Sequence, residues 1–165
     1  MNEQQIIKAV EQAIQSSSSV TLAQAKKLIA RVEEEAARIG VNAVVAVANS
    51  GAHPIAVECM DDSFIASYDV AVQKTFTCVS LKMSTIELKK LAQPEQPLYG
   101  IQFTNQGKIV IFGGGVPLKR GNKVIGALGV SGGSEEQDTY LADFGLKVFE
   151  EELLCYSQKN PDCKF

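Results

Sequence analysis

Lys108 to Asp138 reads KIVIFGGGVPLKRGNKVIGALGVSGGSEEQD. Lys108 to Phe112, apolar after its lysine, predicts a strand that Gly113, Gly114 and Gly115 interrupt and Val116 to Lys119 continue. Arg120-Gly121-Asn122 is a tight-turn signal, and Lys123 to Val130 predicts the returning strand. Ser131, Gly132 and Gly133 then lead into Ser134-x-x-Gln137, a capping box that opens a last helix running to about Glu150. Strands joined by so short a turn run antiparallel. The stretch therefore predicts an antiparallel α+β sandwich and argues against a doubly wound parallel sheet.

The flanking sequence supplies the remaining elements. Ala43 to Ala48 is an apolar, valine-rich run suited to a buried central strand. Asn49-Ser50-Gly51 turns it into a second strand, where Ile55, Val57 and Cys59 alternate with Ala56, Glu58 and Met60. Thr21-x-x-Gln24 is a capping box for a helix whose Leu22, Ala25, Ile29, Val32 and Ala36 share a face, with Gly40 as its C-terminal cap. Asp62 or Ser63 is the expected cap of a further helix, lined by Phe64, Tyr68, Val72, Thr75, Phe76 and Val79. Ser84-x-x-Glu87 opens a short helix that ends before Pro94. At the N-terminus, Ile6, Val10 and Ile14 recur every four residues within Gln4 to Gln15, and four serines follow. The chain thus divides into a helix and linker over 1–19, a domain over 20–150 and a polar tail over 151–165.

With 165 residues, 45% hydrophobic and 21% charged, the chain has enough apolar side chains for one real core. Its net charge of −3 is unlike the basic stripe of a nucleic-acid binder, so DNA and RNA are not expected partners. The longest apolar stretch is too short to span a bilayer, and Met1 to Gln5 has no basic export region; a cytoplasmic setting is expected. Cys59, Cys78, Cys155 and Cys163 form no C-x-x-C pair, and with one histidine no zinc site is expected.

Gly129-Val130-Ser131-Gly132-Gly133 matches G-x-S-x-G, the nucleophile elbow of hydrolases. That chemistry places its histidine after the serine, whereas the sole histidine, His53, precedes it. A glycine-rich turn approached closely by another surface is the better reading. Glu135, Glu136 and Asp138 in the first helical turn disfavour a phosphate there, and they read as a solvated acidic cluster. The three adjacent glycines before Pro117 predict a bulge, or a flat ligand or backbone lying against them. His53 has three open readings: base, iron ligand or surface imidazole.

These motifs, together with Val47-Ala48-Asn49-Ser50-Gly51-Ala52-His53, Lys74-Thr75-x-Thr77, Gln93-Pro94 and Leu98-Tyr99-Gly100, resemble the GlcG/HbpS-like family, which includes the C-terminal domain of PduO-type proteins. The likeness covers Thr21 to Phe149. It implies a five-stranded antiparallel sheet flanked by helices, similar to profilin and sensor domains, in homo-oligomers from dimer to octamer. It also implies a tetrapyrrole ligand, haem or a corrinoid. The chain has no histidine in the first family helix, so an axial ligand would come from His53, a methionine, a cysteine or a lysine. Met1 to Gln15 with the serine run resembles an encapsulation peptide of bacterial microcompartment cargo, whose Ile6, Val10 and Ile14 face would dock on shell proteins.

The leading expectation is a small-ligand-binding accessory protein of a catabolic or microcompartment pathway. Gly113, Gly114, Gly115, Ser131, Gly132 and Gly133 would admit the ligand, with Lys74, Tyr99 and Asp138 as polar contacts. The alternatives are an enzyme using His53, Lys74 or Asp138 for proton transfer, and an oligomerisation module whose glycines serve packing alone.

Overall fold

The computed structural model describes residues 2, 4–6 and 19–154. Within the expected N-terminal helix it describes one turn, where Asn2 and Gln5 cap each other reciprocally at 2.9 Å. Ile6 there is exposed, while Val10, Ile14 and the tail from residue 155 lie outside the described residues. Ser19 belongs to the folded body: its hydroxyl donates to the Ile125 carbonyl at 3.3 Å and accepts from the Ser50 amide at 2.9 Å.

The elements run α1 (Leu22–Arg38), β1 (Val44–Asn49), β2 (Pro54–Cys59), α2 (Ile65–Leu81), α3 (Thr85–Leu91), β3 (Gly115–Arg120), β4 (Lys123–Ser131) and α4 (Glu135–Val148). The last continues as a π-type turn over Phe149–Leu154. All three capping boxes form, at Thr21 and Gln24, at Ser84 and Glu87, and at Ser134 and Gln137. Gly40 ends α1 at φ +72°, and the Val41 amide returns to the Ala36 carbonyl, closing the helix as the glycine predicts.

The four strands pair antiparallel in the order β2-β1-β4-β3, so the expected five-stranded sheet has four. The missing strand is Lys108 to Phe112. Its Val110 amide donates to the Thr77 hydroxyl on α2 at 2.9 Å, and Ile109 and Val110 are buried. A helix hydroxyl satisfies the backbone that a neighbouring strand would otherwise pair. A second departure concerns the start of α2. Neither Asp62 nor Ser63 caps it; the cap residue is Phe64, with no side-chain bond. Phe64 and Tyr68 are exposed at 70% and 49%, and the buried face is Ser67, Ala71, Lys74, Thr75, Thr77 and Cys78.

The sheet explains why α2 buries such small and polar residues. On one face Val45, Val47, Val116, Leu118, Leu128 and Val130 join α1 and α4 in the main apolar core. The strand register puts Val44, Ala46 and Ala48 on the other face, with Ala127, Gly129 and Ser131 opposite them and Gly115 and Pro117 beyond. That face is nearly bare of side chains, so α2 lies almost on the main chain. A Cβ on Gly129 would stand 2.2 Å from the Ala71 carbonyl oxygen, and Gly115 pairs directly with Gly129. The surface that touches these glycines belongs to the protein itself.

Candidate functional site

Lys74 leaves α2 at the point where that bare face meets the two glycine turns. Its side chain is fully buried and runs past Gly115 and Gly129 towards the end of β4. There Nζ donates to the Val130 carbonyl at 2.6 Å and to Asp138 Oδ2 at 2.9 Å. The Phe112 ring centre lies 5.0 Å away, so the aromatic face covers the ammonium on a further side. The other oxygen of Asp138 accepts from the Gly133 amide at 2.9 Å. One ion pair thereby ties α2, the end of β4, the Ser131 to Gly133 turn and the first turn of α4.

Gly114 is what makes room for it. Its φ of +105° lies in the region that favours glycine, and a Cβ there would stand 2.6 Å from Lys74 Nζ and 2.8 Å from the Asp138 Cβ. Gly113 donates its amide to Glu135 Oε1 at 2.8 Å, and Glu135 also pairs with Lys89 of α3. Gly115 donates to the buried Thr85 hydroxyl at 2.9 Å. Ser131 donates through its hydroxyl to the Ser67 hydroxyl at 3.2 Å.

The electrostatics follow from burial. Loss of water pushes the Lys74 ammonium below its ordinary value, while Asp138 opposes that shift. Burial pushes the Cys78 thiol up to about 12, so it stays protonated. The Lys89 hydrogen bond, followed by the Gly113 amide, holds the Glu135 carboxyl below its ordinary value.

The structure therefore brings together Lys74, Asp138, Gly113, Gly114, Gly115, Ser131, Gly132 and Gly133. It corrects the solvated acidic cluster: Asp138 is buried and ion-paired, and Glu135 is bound on both sides. Tyr99 sits 65% exposed in the loop after α3. His53 is exposed on the turn between β1 and β2. That turn follows Asn49, which pairs with Gly126, whereas Val44 at the far end of β1 pairs with Ser131. At about 3.4 Å per residue, roughly 17 Å of strand separates His53 from the glycine turns. Sequence reading passed over Lys89, Thr85 and Phe112, and took Glu135 for a solvated acid. Glu135 had a signal, because a carboxylate in the first turn of a helix sits beside free backbone amides and is favoured there. The others reach the site only through the tertiary fold.

Among the described residues no helix is long and apolar enough to cross a membrane, and no group of three metal-ligating side chains gathers. Exposed apolar side chains instead cluster at the start of α2, where Phe64 is 70% exposed and Ile65 97%. Cys59, an exposed free thiol, ends β2 opposite Val44, at the same end of the sheet as Ser131 and the Ser67 that contacts it.

Comparison with known proteins converges on one group. The uncharacterised 15.0 kDa protein of the dhaT–dhaS intergenic region of Citrobacter freundii is 44% identical over 137 residues, which is 83% of this chain and 96% of that protein. The corrinoid adenosyltransferase PduO of Salmonella typhimurium is 39% identical over 113 residues, 68% of this chain. The match takes in 34% of that enzyme, so the chain spans about a third of its length. The crystal structure of a PduOC–haem complex superposes with a TM-score of 0.75 at 34% identity, covering 78% of this chain and 94% of that one. A family model described as haem degrading protein, HbpS-like, matches residues 20–147. The chain belongs to the HbpS-like family.

Proposed function

We propose that this chain is a haem-binding accessory protein of a corrinoid-linked catabolic route, working as a homo-oligomer. The observation that carries the reading is the likeness to the PduOC–haem complex over most of both chains. The residues present fit a flat apolar ligand at the start of α2, where Phe64, Ile65 and Tyr68 offer an exposed aromatic and aliphatic surface. One exposed donor suits iron held there, Cys59 at the same end of the sheet, whereas His53 lies at the other end. The Cys78 thiol is buried and protonated, and the Met60 sulfur already accepts from the Ala43 amide. Bound haem supplies its own redox and ligand chemistry; the chain supplies the apolar surface and the axial donor.

Lys74, Asp138 and the glycine turns act in this reading as the support that fixes α2 against the sheet. Direct proton transfer to a substrate by Lys74 or Asp138 would need solvent access, and their side chains are 0% and 5% exposed. A residence inside a microcompartment is supported by the encapsulation-peptide resemblance of residues 1–15.

Adding haemin to the purified chain and recording the Soret band tests the proposal. Binding shifts the band at equimolar protein, Cys59→Ser changes its position, and His53→Ala leaves it at the parent's. A free-haem spectrum that persists at excess protein overturns it.

A further inference from the structure

The opposite end of the sheet carries a second feature, a cavity of about 560 Å³. Among the described residues Lys82, Arg120 and Lys123 line it and no carboxylate does, although the chain as a whole carries a net charge of −3. The cations come from separate elements. Lys82 closes α2 in the left-handed conformation at φ +57°, while Arg120 and Lys123 pair with each other across the β3–β4 turn. The polar side chains of Ser50 and Asn122 join them from the two hairpin turns, above Val79 and Val124.

The end of α2 gives one of these charges a local reason, because a helix C-terminus favours a cation. It gives none for Lys123, whose strand begins there without a dipole to balance. Among the described residues neither Lys82 nor Lys123 forms an ion pair. Like charges gathered in a concave site, as Lys82 and Lys123 are with no described carboxylate between them, focus a positive potential that an anionic ligand relieves. The volume falls within the range of small-molecule pockets and exceeds what an inorganic ion fills. Hydroxyl and amide groups beside the two lysines suit a multiply charged oxyanion, since each Lys offers a mobile point charge.

We propose that this cavity binds a small organic oxyanion bearing at least two negative charges, a phosphate ester or a polycarboxylate. It lies at the end of the sheet away from Phe64 and Cys59, and it stands independently of the haem reading.

Titration of the whole chain with inorganic pyrophosphate and, separately, with citrate tests it by calorimetry and by amide chemical shifts. The expected result is saturable, salt-sensitive binding of at least one probe, with shifts centred on Ser50, Gly121 and Asn122. Tighter pyrophosphate marks a phosphoryl ligand and tighter citrate a carboxylate one. Removing two charges in Lys82→Ala/Lys123→Ala weakens binding by roughly tenfold or more. Lys26→Ala, exposed on α1 across the sheet, leaves it unchanged. Saturation by neither probe overturns the proposal, as do shifts centred elsewhere or a double variant that binds like the parent. The Soret response of that double variant stays at the parent's, which separates this outcome from failure of the haem reading.

Discussion

Asp138→Ala isolates the ion pair that holds the two glycine turns together. Its removal leaves the Lys74 ammonium fully buried, with the Val130 carbonyl and the Phe112 ring as its remaining partners, and strips the Gly133 amide of its acceptor. Breaking one side of a buried pair costs about 3–5 kcal/mol, because the surviving charge is uncompensated. Urea unfolding at neutral pH should therefore show the variant destabilised by about that amount, a factor of roughly 150 to 5,000 in the folding constant. The pH dependence carries a definite sign. Burial already holds the Lys74 pKa in the folded state below its ordinary value of 10.5, and losing Asp138 removes the largest influence that raises it. In the window between the folded value and 10.5 the folded chain binds fewer protons than the unfolded one, so stability rises with pH. The gap between variant and parent should narrow from neutral towards alkaline pH. Replacing both partners in Lys74→Met/Asp138→Leu should recover much of the loss, limited by the Val130 carbonyl and Gly133 amide left unbonded. A loss below about 1 kcal/mol for Asp138→Ala, with no pH trend, would refute the view that this pair is dry and structural.

Two further outcomes follow from the same packing. Gly129→Ala places a methyl group 2.2 Å from the Ala71 carbonyl oxygen, so α2 must lift from the sheet. The cost is about 3 kcal/mol, read as a melting temperature roughly 6–12 °C lower, and a change within 2 °C or so would contradict the close helix approach. Glu135→Gln removes a carboxylate whose pKa is held below its ordinary 4.5 by Lys89 and the Gly113 amide. That carboxylate's contribution is present at neutral pH and fades as pH falls through 4.5 and below. The stability difference between Glu135→Gln and the parent should shrink across that range, and a difference independent of pH would deny Glu135 its part in tethering the triple-glycine loop.

Local chemistry made much of the fold legible in the sequence. Thr21, Ser84 and Ser134 with their partners three residues on write helix starts, because caps act over a single turn. The apolar run through Val44 to Ala48 and the turn at Gly121 wrote a central strand and a hairpin for the same reason. The glycines announced that something would come close to the main chain. Their spacing could not say that the approaching surface was α2, because that depends on which face of the sheet each strand turns towards its neighbours.

Long-range partners decided the rest. Lys108 to Phe112 has the composition of a strand, and it misses the sheet because the Thr77 hydroxyl takes its amide from a helix 33 positions away in the chain. Asp138 looks like one of three solvated acids until Lys74, 64 residues earlier, is folded against it. The cation-lined cavity assembles from the end of one helix and two hairpin turns. By itself the sequence determined most of the secondary elements, their antiparallel pairing and the family likeness, since those rest on neighbours within a few residues. Only the tertiary structure decided which charges are buried, paired or left facing a cavity, because burial and pairing depend on segments the chain brings together from far apart.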